Sequence, residues 1–230
     1  MTTTLYIGNR NYSSWSMRAW LVARLSGLPF TTGLVPLYTE ESAARIAAVS
    51  PSGLLPCLHD GDARIWDSLA ITEYLNERLP GSGIWPAAPA ARALARSACA
   101  EMHGGFSALR ATVPMDISRA PALAPLSPGV RGEMRRIEDL WRDCRRLAEG
   151  GPFLFGAWCA ADCFFAPVVM RIRGGCIDVD EATRHYCHAV TGHADVSAWM
   201  EAALEEPWEI DWEGARQTGE RPRARRRPGN

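Results

Sequence analysis

The sequence predicts a small α/β domain followed by an all-α helical domain. In residues 4–79, short β-branched apolar runs alternate with amphipathic stretches at helical spacing, which is the pattern of an α/β domain. Beyond residue 87 this strand pattern stops and long helical stretches follow. The chain has 230 residues, 47% of them hydrophobic and 22% charged, which suits a globular protein with a substantial core.

The change in pattern divides the chain into four segments. We assign residues 1–82 to the α/β domain, 83–89 to a linker, 90–212 to the helical domain and 213–230 to a disordered basic tail. The linker contains a Trp-Pro pair and is rich in alanine and proline, which favours an irregular connection.

The first elements are a strand at residues 4–8 and an amphipathic helix that ends before Gly27. Ser13 and Ser14 lie in the polar turn between them. A serine at this place caps the helix by accepting a bond from a free backbone N–H, or it helps the positive N-terminus of the helix to hold an anion. The residues of this stretch leave both interpretations open, and Arg18 is interpreted as a solvent-facing helix charge.

The rest of the α/β domain follows in short pieces. Pro56 begins a strand, a position where proline is tolerated and where a cis peptide forms a tight corner. Asp67 and Ser68 then open a helix that closes at Pro80. The predicted elements are a strand at 30–37, a helix at 40–49, a strand after Pro56, a hairpin turn at 60–62, a strand at 64–66 and a helix at 69–79.

The second domain is predicted to contain helices and no further strands. The expected helices cover residues 90–110, 128–150, 160–173, 181–190 and 196–205. The seven cysteines are scattered and form no Cys-x-x-Cys pair, so we expect most of them to be buried, reduced thiols. His185, Cys187, His188 and His193 lack the spacing of a metal site, and we predict no metal.

Location and partners follow from composition. No apolar run approaches the roughly 20 residues that span a bilayer, and the N-terminus lacks the features of a signal peptide, so we predict a cytoplasmic protein without a membrane partner. The chain has no lysine, and six of its arginines crowd residues 216–227. A tail rich in arginine, proline and glycine is expected to be disordered, and we predict no nucleic-acid partner.

In order and spacing, these motifs resemble the glutathione S-transferase family over residues 4–206. Residues 12–16, Tyr-Ser-Ser-Trp-Ser, are similar to the Ser-Ser-Cys-Ser signature of the serine-type zeta class, which includes maleylacetoacetate isomerase. Leu55-Pro56 resembles the cis-proline corner, and Asp67-Ser68 resembles the acidic/Gln-Ser pair. Residues 153–156 with Asp162 resemble the capped helix of the second domain. Residues 101–106 and 114–115 are similar to a bacterial subgroup.

The resemblance implies a thioredoxin-like domain that binds glutathione. In the family, the residue before the cis-proline pairs its backbone with the cysteinyl part of glutathione, here Leu55 beside Pro56. The acidic/Gln-Ser pair holds the γ-glutamyl group, here Asp67 and Ser68. Ser13 aligns with the family's catalytic position, so we expect it to hold the thiolate; Ser14 is the alternative donor and is expected to cap the helix.

Three positions depart from the family's pattern. Trp15 replaces the zeta cysteine, which removes any redox role at that position. Cys159 stands where the helix cap is usually Ser or Thr, and we expect Asp162 still to serve there locally. Gly174 occupies the place of the zeta arginine that meets a substrate carboxylate, with Arg171 and Arg173 close by, so the resemblance to the isomerase is weaker here.

The resemblance therefore implies a glutathione transferase. A serine-stabilised glutathione thiolate attacks a small soft electrophile, by conjugation or by glutathione-dependent isomerisation; the alternative is a non-catalytic binding or regulatory protein of the same fold. Glutathione is the co-substrate, and the family implies a homodimer and a role in detoxification. Five residues lie where the family places both its electrophile pocket and its dimer contact, and core packing explains them equally well: Glu101, His103, Phe106, Arg110 and Met115.

Overall fold

The computed structural model of the protein describes residues 2–118, 126–212 and 222–227. In chain order, its elements are β1 Thr3–Ile7, α1 Ser14–Ser26, β2 Thr31–Leu34, α2 Ser42–Val49, β3 Cys57–Asp60, β4 Ala63–Trp66, α3 Ser68–Arg78, α4 Pro89–Gly104, α5 Ser107–Thr112, α6 Pro128–Arg146, α7 Ala160–Gly174, α8 Glu181–Thr191, α9 Ala194–Leu204, β5 Trp208–Ile210 and β6 Ala224–Arg226. The predicted order of strands and helices through α3 is confirmed.

Four strands form one mixed sheet in the order β2-β1-β3-β4. β1 runs parallel to β2, and the connection between them is the crossover helix α1, as parallel neighbours require. β3 runs antiparallel to both β1 and β4. The peptide bond between Leu55 and Pro56 is cis, so the cis-proline corner expected before β3 is confirmed.

Helix α1 joins the sheet to the helical part of the chain. It packs against α3 on the sheet side and against α7 and α9 on the other side. Met17 and Leu21 of α1 are fully buried, as are Phe164 and Phe165 of α7, and they belong to one continuous hydrophobic cluster. Because apolar surface is covered on both sides of α1, this helix has little freedom to shift relative to either part.

Asp162 organises the start of the buried helix α7. Its Oδ1 accepts hydrogen bonds from the Leu154 N–H and the Tyr186 hydroxyl, each at 3.0 Å, and its Oδ2 accepts one from the Cys159 N–H at 3.0 Å. The expected local role of Asp162 beside Cys159 is thus confirmed. Burial raises the pKa of Asp162 to about 6, while the hydrogen bonds from Leu154, Cys159 and Tyr186 favour its charged form.

The long helix expected over residues 90–110 is interrupted. α4 ends at Gly104, and Gly105 lies so close to the chain that an added Cβ would be 2.7 Å from the Glu101 carbonyl oxygen. Phe106 then has a φ of +56°, which turns the chain into the short helix α5. The residues on both sides of this point have helical composition, so the sequence pattern does not indicate the break.

Two predictions about the C-terminal part are wrong. The segment beyond residue 90 does contain strands, because β5 pairs antiparallel with β6. Residues 222–227 of the tail expected to be disordered are ordered: the Ala224 N–H donates to the Tyr38 carbonyl, and the Arg227 N–H donates to the Pro207 carbonyl. The other tail residues, 213–221 and 228–230, lie outside the described residues. β6 is held by backbone hydrogen bonds, which do not require a particular pattern of side chains. Its sequence therefore shows no apolar alternation that would predict a strand.

We expect Asp162→Ala to lower the free energy of unfolding by about 3 kcal/mol or more, since it leaves two backbone N–H groups and the Tyr186 hydroxyl buried without an acceptor. Urea denaturation at neutral pH measures this change. Asp178→Ala is the matched control, because among the described residues its fully exposed carboxylate meets only Arg184, at 3.8 Å, and almost no change in the free energy of unfolding is expected. Equal losses in the two variants would contradict the assigned role.

Candidate functional site

The connections at one edge of the sheet bring the sequence-predicted site residues together. β1 ends at this edge and leads to Ser13 and Ser14, while β3 begins there directly after Pro56. In the register of the sheet, Cys57 pairs with Tyr6 on one side and with Trp66 on the other. Pro56 therefore lies beside the chain that leaves β4 as Asp67 and Ser68, so three loops converge at the start of α1.

Ser13 is the N-cap of α1. Its Oγ accepts a hydrogen bond from the Ser16 N–H at 3.3 Å and donates one to the Ser16 Oγ at 2.8 Å. Ser14 is the first residue of the helix, and the expectation that it caps α1 is wrong. The reason is a turn before the helix, in which the Asn9 carbonyl accepts from the Tyr12 and Ser13 N–H groups and places Ser13 at the cap.

The turn before α1 is held by residues from the far end of the chain. The Glu206 carboxylate accepts from the Arg10 N–H at 2.9 and 3.0 Å, and the Asn11 amide donates to the Ala203 carbonyl at 2.7 Å. The Trp199 indole donates to the Arg10 carbonyl at 3.1 Å. Sequence reasoning missed this support, since the partners are more than 180 residues apart and each is an ordinary polar residue.

A cleft of about 1150 Å³ opens beside the start of α1. Of the predicted site residues, Ser13 and Leu55 line it, together with Trp15; Ser14, Pro56, Asp67 and Ser68 lie outside its lining. The remaining walls come from the loop after β2 and the start of α2, from the loop before the cis-proline, and from the C-terminal strands: Pro36–Ala43, Arg45, Ile46, Gly53, Leu54, Trp208 and Pro222–Ala224.

Leu55 lines this cleft at the cis-proline corner. Leu55 is half-buried and adjoins the cis peptide bond to the buried Pro56. Within the described part of the chain, the N–H and carbonyl of Leu55 have no hydrogen-bond partner. An extended peptide lying along this corner would meet one free donor and one free acceptor, as at the edge of a sheet.

Asp67 and Ser68 form the start of α3. Asp67 has a φ of +76°, and its Oδ1 caps the helix by accepting from the Leu69 N–H at 2.8 Å. Its Oδ2 lies 3.2 Å from the His103 Nε2. Ser68 is fully buried, and within residues 2–118, 126–212 and 222–227 its Oγ has no hydrogen-bond partner. This end of α3 therefore offers a hydroxyl and a helix N-terminus beside a carboxylate.

Three arginines surround the first turn of α1 from the helical side. The guanidinium carbons of Arg18 and Arg110 lie 4.5 and 4.8 Å from the Trp15 ring centre. Arg171 donates from one nitrogen to the Val113 carbonyl and from the other to the Ser14 Oγ at 3.3 Å. Sequence reasoning missed this group, because the three arginines come from separate helices.

Arg18 is not the solvent-facing charge expected from the sequence; it is 1% exposed. α7 covers this side of α1, so the position is internal although its residue type is polar. Burial, together with the neighbouring charges of Arg110 and Arg171, lowers the pKa of Arg18 to about 9. Burial likewise lowers the pKa of Arg171 to about 10, with Arg110 as the second cause.

Burial also lowers the pKa of His103, and the charges of Arg18 and Arg110 act in the same direction. Asp67, 3.2 Å away, opposes this shift, but burial dominates, so the pKa of His103 stays below its usual value. Among the residues described, no group of three or more His, Cys, Asp or Glu side chains is placed to hold a metal ion. In the same residues, no helix has both the length and the apolar character needed to cross a membrane.

Residues 12–78 match the family model of the glutathione S-transferase N-terminal domain. A Burkholderia glutathione transferase homologue with bound glutathione superposes with a TM-score of 0.67 at 25% identity, covering 89% of this chain and 99% of that one. A Methylococcus capsulatus glutathione transferase shares the fold, with a TM-score of 0.64 at 22% identity, over 88% and 98% of the two chains.

The curated relatives align over shorter stretches. Dichloromethane dehalogenase of Methylorubrum extorquens is 44% identical over 60 residues, which are 25% of this chain and 21% of that protein. A stringent starvation protein A homologue of Pasteurella multocida is 28% identical over 66% of this chain and 68% of its own. A probable maleylacetoacetate isomerase of Caenorhabditis elegans is 30% identical over 46% and 48%.

These matches agree with the observed architecture. The sheet of four strands with α1, α2 and α3 is the thioredoxin-like domain, and the mostly helical remainder completes the arrangement seen in the similar structures. The matched residues 12–78 include the start of α1, the cis-proline corner and the start of α3. Residues 12–78 therefore belong to the N-terminal domain of the glutathione S-transferase family, and the chain as a whole has the glutathione S-transferase architecture.

Proposed function

We propose that this protein is a glutathione transferase in which a serine-stabilised glutathione thiolate attacks a small soft electrophile. One observation carries the proposal: the serine hydroxyls at the start of α1 lie at the same end of the strands as the Leu55 backbone and the Ser68 hydroxyl, both of which lack a partner among the described residues. A protein that used this fold only as a scaffold would have no need for all three features.

The proposed binding mode follows the polar groups of glutathione. Its cysteinyl backbone pairs with the N–H and carbonyl of Leu55 at the cis-proline corner. Its γ-glutamyl carboxylate accepts a hydrogen bond from the Ser68 hydroxyl at the N-terminus of α3, where the helix dipole favours negative charge. Asp67 lies beside this position and matches the γ-glutamyl ammonium group.

This arrangement places the glutathione sulfur near the N-terminus of α1. A free thiol has a pKa of about 8.5, and lowering that pKa by ~2 requires about 2.7 kcal/mol in favour of the thiolate. A hydroxyl hydrogen bond to a charged acceptor contributes about 1.5–3 kcal/mol, and the helix N-terminus about 0.3–1 kcal/mol. Together they suffice, so neither a general base nor a metal is needed to ionise the thiol.

The reaction class extends to conjugation and glutathione-dependent isomerisation. Each begins with addition of the thiolate to an electrophilic carbon, and they differ in whether the sulfur remains bonded to the product. We propose a homodimeric, cytoplasmic detoxification enzyme, with residues 1–82 binding glutathione and residues 90–212 forming most of the electrophile site. The family supports these assignments, and the position of α4 and α5 beside Trp15 supports the location of the electrophile site.

We expect Ser68→Ala to weaken glutathione binding roughly 10- to 100-fold, because it removes a hydrogen bond to a buried charged group. Isothermal titration calorimetry with reduced glutathione measures the change. Ser97→Ala is the matched control: Ser97 is exposed on α4, its hydroxyl donates to the Ala93 carbonyl of its own helix, and an unchanged Kd is expected. An unchanged Kd in Ser68→Ala would remove this contact from the proposal.

We expect the purified protein to be retained on glutathione agarose and to conjugate glutathione to an aryl halide such as 1-chloro-2,4-dinitrobenzene. Maleylacetone serves as the isomerisation substrate in a parallel assay. Turnover of either one supports the transferase or isomerase activity. Retention on the column without turnover of any electrophile in a wider panel would instead favour a non-catalytic binding or regulatory protein.

A further inference from the structure

The two serines at the start of α1 have different hydrogen-bonding states. The Ser13 hydroxyl is engaged within its own turn, since it donates to the Ser16 Oγ at 2.8 Å and accepts from the Ser16 N–H at 3.3 Å. The Ser16 Oγ in turn accepts from the Gly8 N–H at 2.9 Å, which ties this group to the end of β1. Ser13 would have to leave that network to donate to a ligand.

The Ser14 hydroxyl, in contrast to that of Ser13, acts as a hydrogen-bond acceptor. Its Oγ lies 3.3 Å from a nitrogen of Arg171, and a guanidinium group only donates hydrogen bonds. The Ser14 oxygen is therefore the acceptor in this contact, and its own proton points elsewhere. Among the described residues, no acceptor takes that proton. Ser14 thus has one hydroxyl donor available at the N-terminus of α1, outside the lining of the cleft and beside Arg171 of α7.

Arg171 is fixed where it meets Ser14. It is 6% exposed, and its second terminal nitrogen donates to the Val113 carbonyl. It lies on α7, which packs directly against α1. A rigid buried cation that donates to a hydroxyl oxygen makes the remaining O–H a stronger donor, because hydrogen bonds in a chain polarise one another.

The charges around Ser14 favour an anion. Arg171 of α7 donates to Ser14 and is electrostatically coupled to Arg18 of α1 and Arg110 of α5, while Asp67 before α3 is engaged with His103 of α4. The Nε and one terminal nitrogen of the buried Arg18 have no hydrogen-bond partner within the described chain. The carboxylates that act on these three guanidinium groups are those of Asp67 and Glu133, so positive charge remains in excess near the α1 N-terminus.

We propose that Ser14, not Ser13, donates the hydrogen bond that holds the glutathione thiolate, and that Arg171 is the positioning residue that directs and strengthens this donor. The inference rests on the proposed function and assigns the roles of residues within the same site. Ser14 keeps its proton throughout; the thiol proton passes to solvent water when glutathione binds. The sulfur lone pair then forms the C–S bond: in conjugation to an aryl halide the halide departs with its bonding electrons, and in isomerisation the π electrons shift onto the substrate and return when the sulfur leaves.

The proposal gives Ser13 a structural role. As the N-cap, Ser13 stabilises α1 and fixes the direction in which Ser14 leaves the turn. Loss of its hydroxyl is expected to lower the urea midpoint of the protein without a matching effect on the sulfur. The roles of the two serines can therefore be distinguished by measuring the urea midpoint of each variant and the pKa of the glutathione that it binds.

The test measures the pKa of enzyme-bound glutathione from the ultraviolet absorbance of its thiolate, with the full chain at saturating glutathione. We expect Ser14→Ala to raise this pKa by about 1 to 2, and Ser13→Ala to leave it within about 0.3 of the unmodified protein. Arg171→Met is expected to raise it as well, with partial recovery in Arg171→Lys, which retains the charge but not the forked geometry. The pKa seen in the pH profile of kcat/KM should move in the same direction.

Arg173→Met is the matched control, because Arg173 is exposed and lies on α7 two residues after Arg171. The thiolate pKa of glutathione bound to this variant should be unchanged. Urea denaturation of every variant separates loss of folding from loss of ionisation, and Arg171→Lys keeps the charge test available where Arg171→Met is unstable. A raised pKa in Ser13→Ala with none in Ser14→Ala would overturn the assignment. Failure of the unmodified protein to bind glutathione in calorimetry would instead contradict the proposed function.

Discussion

The packing of α1 between the sheet and α7 is the constraint on which the rest of the structure depends. Fully buried apolar side chains lie on both sides of this helix, so its N-terminus is held at a defined position relative to both parts of the chain. The turn before it is anchored further by Glu206, Asn11 and Trp199. A site built on this turn therefore inherits the rigidity of the whole core.

The same packing explains the unusual electrostatics of the site. Covering α1 with α7 buries Arg18 and brings Arg171 to the first turn, while the break after α4 directs Arg110 toward Trp15. Buried cations without a matching number of carboxylates are costly unless carbonyl oxygens, aromatic faces or a ligand compensate them. Here carbonyls and the Trp15 ring supply part of that compensation, and a bound anion would supply more.

Much of the fold was predictable from local patterns. Pro56 stood at a strand start and Asp67 directly before an amphipathic stretch, and each has the expected local role, as cis-proline and as helix cap. The break at Gly105 was missed because helical composition continues across it, and β6 was missed because its strand is held by backbone bonds to Tyr38 and Pro207. Periodicity reports apolar faces and gives no signal for such contacts.

The candidate site likewise has features that the sequence predicts and features that only the tertiary packing determines. The amino-acid order was sufficient to indicate two hydroxyls at a helix start, a corner at Pro56 and an acidic residue with a serine opening α3, because short-range chemistry governs caps and turns. It could not distinguish Ser13 from Ser14, since the cap is chosen by the turn at Asn9 and the free hydroxyl is defined by Arg171, 157 residues away. The packing of α7 against α1 brings Arg171 to Ser14, and no local sequence pattern predicts this long-range contact.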